Sequence, residues 1–432
     1  MPAKLNQFQQ TMLKWNDLHS YNAVHVVRIP ESFDAGRLGT IINATIGGSG
    51  LTNLCLDLKR GILRYHGGPM NCEIKVLGAD ADPEAALCAE IETQLNTGFM
   101  LGERMNPFRF FVAVNAGSFL LGLVYFHPVA DAESIVRMLM PIVNTYVGKA
   151  ERRSTGLAEL HPRRHDRLFR QNPVVLARKL AALPSMIGAM RASSRPRCSD
   201  AQDLRNEFTR FSLRSEDLLA LRAASRSLGV TINDLFLALL MKALAPLDAR
   251  REQAARRRNI SIGTIVNTRE DLGLDVPPFF GLCLGFFVVT HPVPDGMTVA
   301  DLARDIGIQT LGIKRRQLYL GWPLELAAAR LALRFFSARG QKDFYRKSYP
   351  LWGGITNMNL NSIWNELDGG APPDYFRAVS TGPITPLVLS ITTVGSGVNI
   401  GVTYRVTSFR AAEIAAVRQR LLDGLRLLEA GL

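Results

Sequence analysis

The chain has 432 residues, 47% of them apolar, with a formal charge of +13 and a pI near 9.8. That length suits two or three domains with real cores. No apolar run approaches the roughly 18 residues of a membrane-spanning helix, and the first residues lack the apolar stretch of a secretory signal. Five scattered cysteines with no Cys-x-x-Cys pair argue against structural zinc and against a disulfide framework, so a cytoplasmic setting is expected.

In chain order, YNAVHVVRIP (21–30) reads as a strand and DAGRLGTIINATIG (34–47) as a helix opened by an acidic cap. CEIKVLG (72–78) suggests a strand, and PEAALCAEIETQLN (83–96) a helix with proline in its first turn. FRFFVAVNAGSFLLGLVYFH (108–127) reads as two antiparallel strands joined through Asn115, Ala116 and Gly117. After Asp131, residues Ile135, Met138, Leu139, Ile142, Val143 and Tyr146 share one helical face.

Residues 148–204 are basic and broken by prolines, with PVVLARKLAALPSMIGAMR as amphipathic helix, and read as a crossing between two lobes. The second lobe opens near NEFTRFSLRSEDLL, followed by a helix in VTINDLFLALLMKAL (230–244). Strands are expected at 259–268 and 281–290, and a helix at 298–316. PLVLSITTVGSGVNIGVTYR (386–405) is strand-rich, and an amphipathic helix closes the chain. The expected organisation is a mixed α/β chain: an N-terminal lobe over 1–165, a basic crossing over 166–204 and a C-terminal lobe over 205–432.

Two His-x-x-x-Asp sites compete for attention, at His127–Asp131 and His291–Asp295. Residues 294–296 are Pro-Asp-Gly, a turn signature, so His291 is expected at an exposed loop start with a structural role. His127 instead ends an apolar strand and leads into a helix without a long loop. A histidine there is held by the strand while facing whatever lies at its end, which suits a general base. The alternative is a polar residue that merely closes the strand.

The region around His127 resembles the His-His-x-x-x-Asp-Gly motif of the CoA-dependent acyltransferase superfamily. That superfamily includes chloramphenicol acetyltransferase, nonribosomal peptide condensation domains and bacterial wax ester synthases. His127 matches the second, catalytic histidine and Asp131 the aspartate, while Phe126 and Ala132 replace the first histidine and the glycine. NPFRFFVAV (106–114) resembles the lead-in to the motif strand, and LGVTINDLFLALLMKAL the helix with an Asn-Asp pair, here Asn233 and Asp234. IVNTRED resembles the Val-Asn-x-Arg strand end, with Asn267 and Arg269, and GGITNMNLN the Asn segment near the tunnel, with Asn357. Thr52 stands where the family often has the arginine that pairs with the motif aspartate, so the expected cation for Asp131 is one of Lys59, Arg60 or Arg64.

The resemblance implies two chloramphenicol acetyltransferase-like lobes, each a mixed sheet flanked by helices, with a tunnel between them. It implies an acyltransferase moving an acyl or aminoacyl group, most plausibly an acyl group, from an acyl-CoA or phosphopantetheinyl carrier-protein thioester to a hydroxyl or amine. Asn357, Ser390 and Thr392 are the oxyanion candidates, each equally readable as a strand polar group bonded to backbone. Asn233, Asp234, Asn267 and Arg269 are structural motif residues, and no resident cofactor or metal is expected. A catalytically degenerate carrier-protein binding module is the alternative. The basic runs at 149–170, 250–258 and 312–317 lack interleaved aromatics, which makes nucleic acid an improbable partner. Acyl-CoA and an acidic acyl or peptidyl carrier protein fit that charge better, with a small-molecule or lipid acceptor. The basic amphipathic segments at 165–195 and 312–347 also suit peripheral contact with an anionic inner membrane surface.

Overall fold

A computed structural model describes residues 2–70, 72–78, 82–149, 159–160, 173–248, 254, 256–272, 279–322, 325–326, 333–364 and 372–430. The basic run at 149–170, including the expected first lobe boundary at 165, falls almost wholly outside these residues, and that at 250–258 in part.

The N-terminal half runs β1 (Pro2–Lys4), α1 (Gln7–Leu18), β2 (Asn22–Ile29), α2 (Ala35–Ser49), β3 (Leu54–Asp57) and β4 (Ile62–Tyr65). It continues with β5 (Ile74–Val76), α3 (Pro83–Asn96), β6 (Phe108–Asn115), β7 (Ser118–Phe126) and α4 (Ala132–Tyr146). A short β8 (Glu159–Leu160) and α5 (Pro173–Arg191) come next. The C-terminal half begins with β9 (Asn206–Leu213), α6 (Ser215–Leu228), α7 (Ile232–Leu244), β10 (Ile260–Asn267), β11 (Phe279–Phe280), β12 (Leu284–His291) and α8 (Val299–Arg315). It ends with α9 (Ala338–Ser348), β13 (Gly353–Asn359), α10 (Leu360–Trp364), β14 (Tyr375–Val379), β15 (Leu387–Val394), β16 (Gly397–Arg405) and α11 (Ala411–Ala430).

Local chemistry places these elements. Asp34 caps α2 by accepting from the Arg37 N–H at 2.9 Å, and Pro83 opens α3. Asn115 pairs with Ser118 across the β6–β7 hairpin, where Gly117 takes φ +67°. The expected face of α4 is buried from Ile135 to Tyr146. His291 departs from expectation: it ends β12 buried, its Nδ1 accepting from the Val293 N–H at 2.9 Å and its Nε2 facing Asp305 at 3.3 Å. Its role is structural, but the strand holds it inside rather than at an exposed loop start.

Two mixed sheets organise the molecule. The six-stranded sheet, in order β12-β10-β13-β15-β16-β9, comes wholly from the C-terminal half. The five-stranded sheet, in order β14-β2-β7-β6-β5, does not: β14 crosses from beyond residue 370 to pair antiparallel with β2. Each sheet has its own apolar core, one around Phe111, Leu123 and Leu139, the other around Leu239, Ile262 and Leu389. A third cluster joins α1 to the C-terminal half through Phe8, Trp15, Phe286 and Trp322.

The crossing of β14 depends on Gly401. A Cβ there would lie 2.0 Å from the Arg377 carbonyl oxygen, so β14 runs over β16 only because that position is bare. Gly401→Ala should destabilise the protein by about 1–3 kcal/mol, the cost of forced overpacking. Chemical denaturation checks this, and an unchanged midpoint would show that β14 can lift away freely.

Candidate active site between the lobes

The site starts at the end of β7. Strand alternation sends Tyr125 and His127 to one side and Phe126 to the other. Tyr125 and His127 line a cleft between the two sheets, while Phe126 is fully buried against Phe99 in the N-terminal core. The residue that departs from the family's first histidine therefore lies off the cleft. Ala132, in the glycine position, lines the cleft wall.

Several contacts fix His127. Its backbone N–H donates to the Tyr21 carbonyl at 3.2 Å, and Gln9 holds the following Pro128 carbonyl at 2.9 Å. The imidazole stacks on Tyr21 with ring centroids 5.3 Å apart and meets Tyr125 edge-on at 5.5 Å. Its Nδ1 faces the Ala130 carbonyl at 3.0 Å. A carbonyl only accepts, so Nδ1 carries the proton and neutral His127 presents an unprotonated Nε2. Burial lowers its pKa below the ordinary 6.5, with the Arg377 charge also pushing downward.

That direction yields a pH prediction. His127 is neutral and base-competent at pH 7, and protonation becomes appreciable only on the acid side. Thioester-dependent kcat/KM should be level from about pH 6.5 to 8 and fall with a midpoint below 6.5. An acid limb centred above 6.5 would mean that the titrating base is another group.

Asp131 does not touch His127. It is 1% exposed and caps α4, one oxygen accepting from the Ser134 N–H at 3.0 Å and from Arg269 Nη2 at 2.7 Å. The other oxygen accepts from the Cys283 N–H at 2.9 Å. Burial pushes its pKa up, but Arg269 and these N–H groups outweigh burial and hold it below the usual carboxylate range. The cation is therefore Arg269 of the C-terminal half. Lys59, Arg60 and Arg64 are all exposed, and Arg60 faces Asp57 instead. Thr52 donates to the Gly68 carbonyl at 2.8 Å.

Asn267 joins the same latch, donating to Glu133 at 2.6 Å and accepting from the Arg269 backbone N–H at 3.0 Å. Ser134 closes it through Gly281, 3.0 Å to the carbonyl and 3.1 Å from the N–H. The start of α4 is thus bolted to the opposite half one turn beyond His127. Asp234 lies elsewhere, capping α7 with Thr231 and accepting from Thr310 at 2.8 Å, with half-buried Asn233 beside it.

The three oxyanion candidates separate. Ser390 lines the cleft at 1% exposure, and its hydroxyl has no hydrogen-bond partner among the described residues. Thr392 accepts from Arg377 Nε at 2.9 Å, which engages it with that side chain. Asn357 is exposed, and its neighbour Thr356 takes the cleft-facing position on β13.

Arg377, His25 and Tyr21 are cleft residues that sequence reasoning missed. Arg377 sits on β14 opposite His25 of β2 in register, and His25 Nδ1 pairs with the Tyr375 hydroxyl at 2.5 Å. Burial, then Arg377 and His127, hold the His25 pKa well below 6.5. The available signals were single polar residues inside apolar runs, His25 in NAVHVV and Arg377 in YFRAV.

No family model and no curated protein matches this sequence. Solved structures match over its full length. The condensation domain of the monacolin K polyketide synthase MokA superposes with a TM-score of 0.71 at 12% identity, covering 100% of this chain and 98% of that one. The first condensation domain of the CDA synthetase gives 0.69 at 16% identity, with 100% and 96% covered. The X-domain from teicoplanin biosynthesis gives 0.65 at 16%, with 99% and 95% covered. The chain thus has the two-lobed condensation-domain fold.

Proposed function

We propose that the chain is an acyltransferase that moves an acyl group from a CoA or carrier-protein thioester to a hydroxyl or amine. The observation that carries this reading is the fixed tautomer of His127, whose Nδ1–H is spent on Ala130 and whose Nε2 is left as base in a cleft between two lobes. The acceptor would lose its proton to Nε2 as it attacks the thioester carbonyl. The collapsing intermediate would return that proton to the departing thiolate, so no covalent enzyme intermediate is needed. Among the described residues the Ser390 hydroxyl has no partner, which leaves it free to donate to a substrate oxygen. Phe8, Met12, Trp15, Phe286 and Trp322 give the cleft an apolar wall suited to an acyl chain.

The basic surface favours an anionic donor carrier, whether CoA phosphates or an acidic carrier protein, and carrier-protein use should weaken steeply with salt. Among the described residues no single helix is long and apolar enough to cross a membrane. Contact with an anionic membrane surface would rest on the basic segments alone. The test is product formation from a panel of acyl-CoA and acyl-carrier-protein donors with amine and alcohol acceptors. A second reading, a binding module without turnover, draws on the likeness to the X-domain, one copy of which is solved in a complex with OxyB. It predicts tight capture of a loaded carrier protein or partner enzyme with no product from any donor.

A further inference from the structure

Arg377 presents a problem of charge. Its side chain is 3% exposed, lines the cleft, and has no ion pair with any carboxylate among the described residues. Its partners are neutral: Thr392 Oγ1 at 2.9 Å, the carbonyls of Thr356 and Ile391 at 2.9 and 2.7 Å, and Thr356 Oγ1 at a long 3.4 Å. A guanidinium has five N–H groups, so one on Nη1 is left without a protein acceptor among the described residues. The groups around it do not supply a negative charge either. His25 faces it in register, and Tyr125 and Tyr375 are phenols whose pKa burial drives far upward.

Neutral partners orient a buried cation but do not compensate it, and an unpaired buried charge is costly. The cost is visible in Arg377 itself, whose pKa is pushed down to about 10 by burial. A second polar group in the same cleft also lacks a partner among the described residues, the Ser390 hydroxyl on β15. Ser390 and Thr356 are directly paired in register, and Thr356 is one of the residues that hold Arg377. A rigid guanidinium with a spare donor and a neighbouring free hydroxyl in an apolar-walled cleft is a preformed carboxylate site.

We propose that one substrate of this cleft carries a free carboxylate, bound by Arg377 with Ser390 close by. The proposal rests on the acyltransferase reading for the word substrate, but the site stands on its own chemistry. The carboxylate comes either from a dicarboxylic acyl group on the donor or from an amino-acid acceptor, and the experiment separates the two.

Trp15 and Trp322 line the cleft and give a fluorescence signal for equilibrium binding, which requires no turnover. Succinyl-pantetheine is compared with butyryl-pantetheine, and leucine with leucinamide. The carboxylated member of one pair should bind at least ~10-fold more tightly to the wild-type chain. That preference should vanish in Arg377→Gln, survive in part in Arg377→Lys and weaken in Ser390→Ala, a smaller change that keeps the guanidinium in place. It should persist in His127→Ala, where the acyl-transfer chemistry is removed. No product from any donor with the wild-type chain, beside a carboxylate preference, would sink the transferase reading and leave the site standing. No preference in either pair, or a preference unchanged in a folded Arg377→Gln, would overturn the site.

Discussion

Replacing His127 by alanine should lower thioester-dependent turnover by about 10²–10⁴-fold, the usual contribution of a positioned general base. The fold should survive. The imidazole makes one hydrogen bond, to a carbonyl three residues away, and its backbone N–H bond to Tyr21 does not depend on the side chain. Substrate binding in the cleft should change little, so the loss should appear in kcat. His127→Gln is the sharper variant, because it keeps a polar side chain of similar reach without a base. Full activity in either folded variant would falsify the role assigned here. His25, also in the cleft, is a poorer substitute, since burial and the Arg377 and His127 charges hold its pKa well below 6.5 and make it a weak base.

Asp131→Ala should act on stability, at a cost of about 3–5 kcal/mol. Arg269, 6% exposed, would lose the carboxylate that lies 2.7 Å from its Nη2. Glu133 approaches Arg269 Nη1 only at 3.5 Å and already accepts from Asn267 and Arg137, so it does not replace the lost group. The Ser134 and Cys283 N–H groups would also lose their acceptor. Replacing Asp131 and Arg269 together by apolar residues should cost less than Asp131→Ala alone, because both members of the buried pair are then removed together. Equilibrium denaturation of the three variants decides the matter, and a loss below 1 kcal/mol for Asp131→Ala would show that the latch carries little. Linkage gives the same residue a pH signature. Its folded pKa is depressed from 3.8, so its stabilisation is complete above that value and is lost as pH falls through the lower folded one.

These two predictions separate the motif into a chemical part and a mechanical part. His127 faces the cleft, whereas Asp131 faces away to bind the halves together four residues later. A His-x-x-x-Asp spacing suggests a histidine oriented by an aspartate, yet the histidine here is oriented by the Ala130 carbonyl and Tyr21. The aspartate positions the loop, by fixing where α4 starts.

Local chemistry was enough to read most elements from the sequence. Period-3.6 apolar faces gave α4 and α7, acidic caps and Pro83 gave the starts of α2 and α3, and the Asn115–Gly117 turn gave the β6–β7 hairpin. Those signals depend on neighbours within a turn or two, which a single sequence contains. The His127–Asp131 spacing was legible for the same reason, as was the resemblance whose implied two-lobed fold the structure shows. The tertiary structure alone decided what long-range pairing sets. It brought β14 across to β2, placed Arg377 opposite His25, and chose Arg269 over the nearer cations at 59–64 as the partner of Asp131. It also turned Asn357 outward, left the Ser390 hydroxyl in the cleft without a partner among the described residues, and sent Phe126 into the core. Each of these follows from which strand lies beside which, and strand neighbours 352 residues apart, as His25 and Arg377 are, leave no local trace in composition or period.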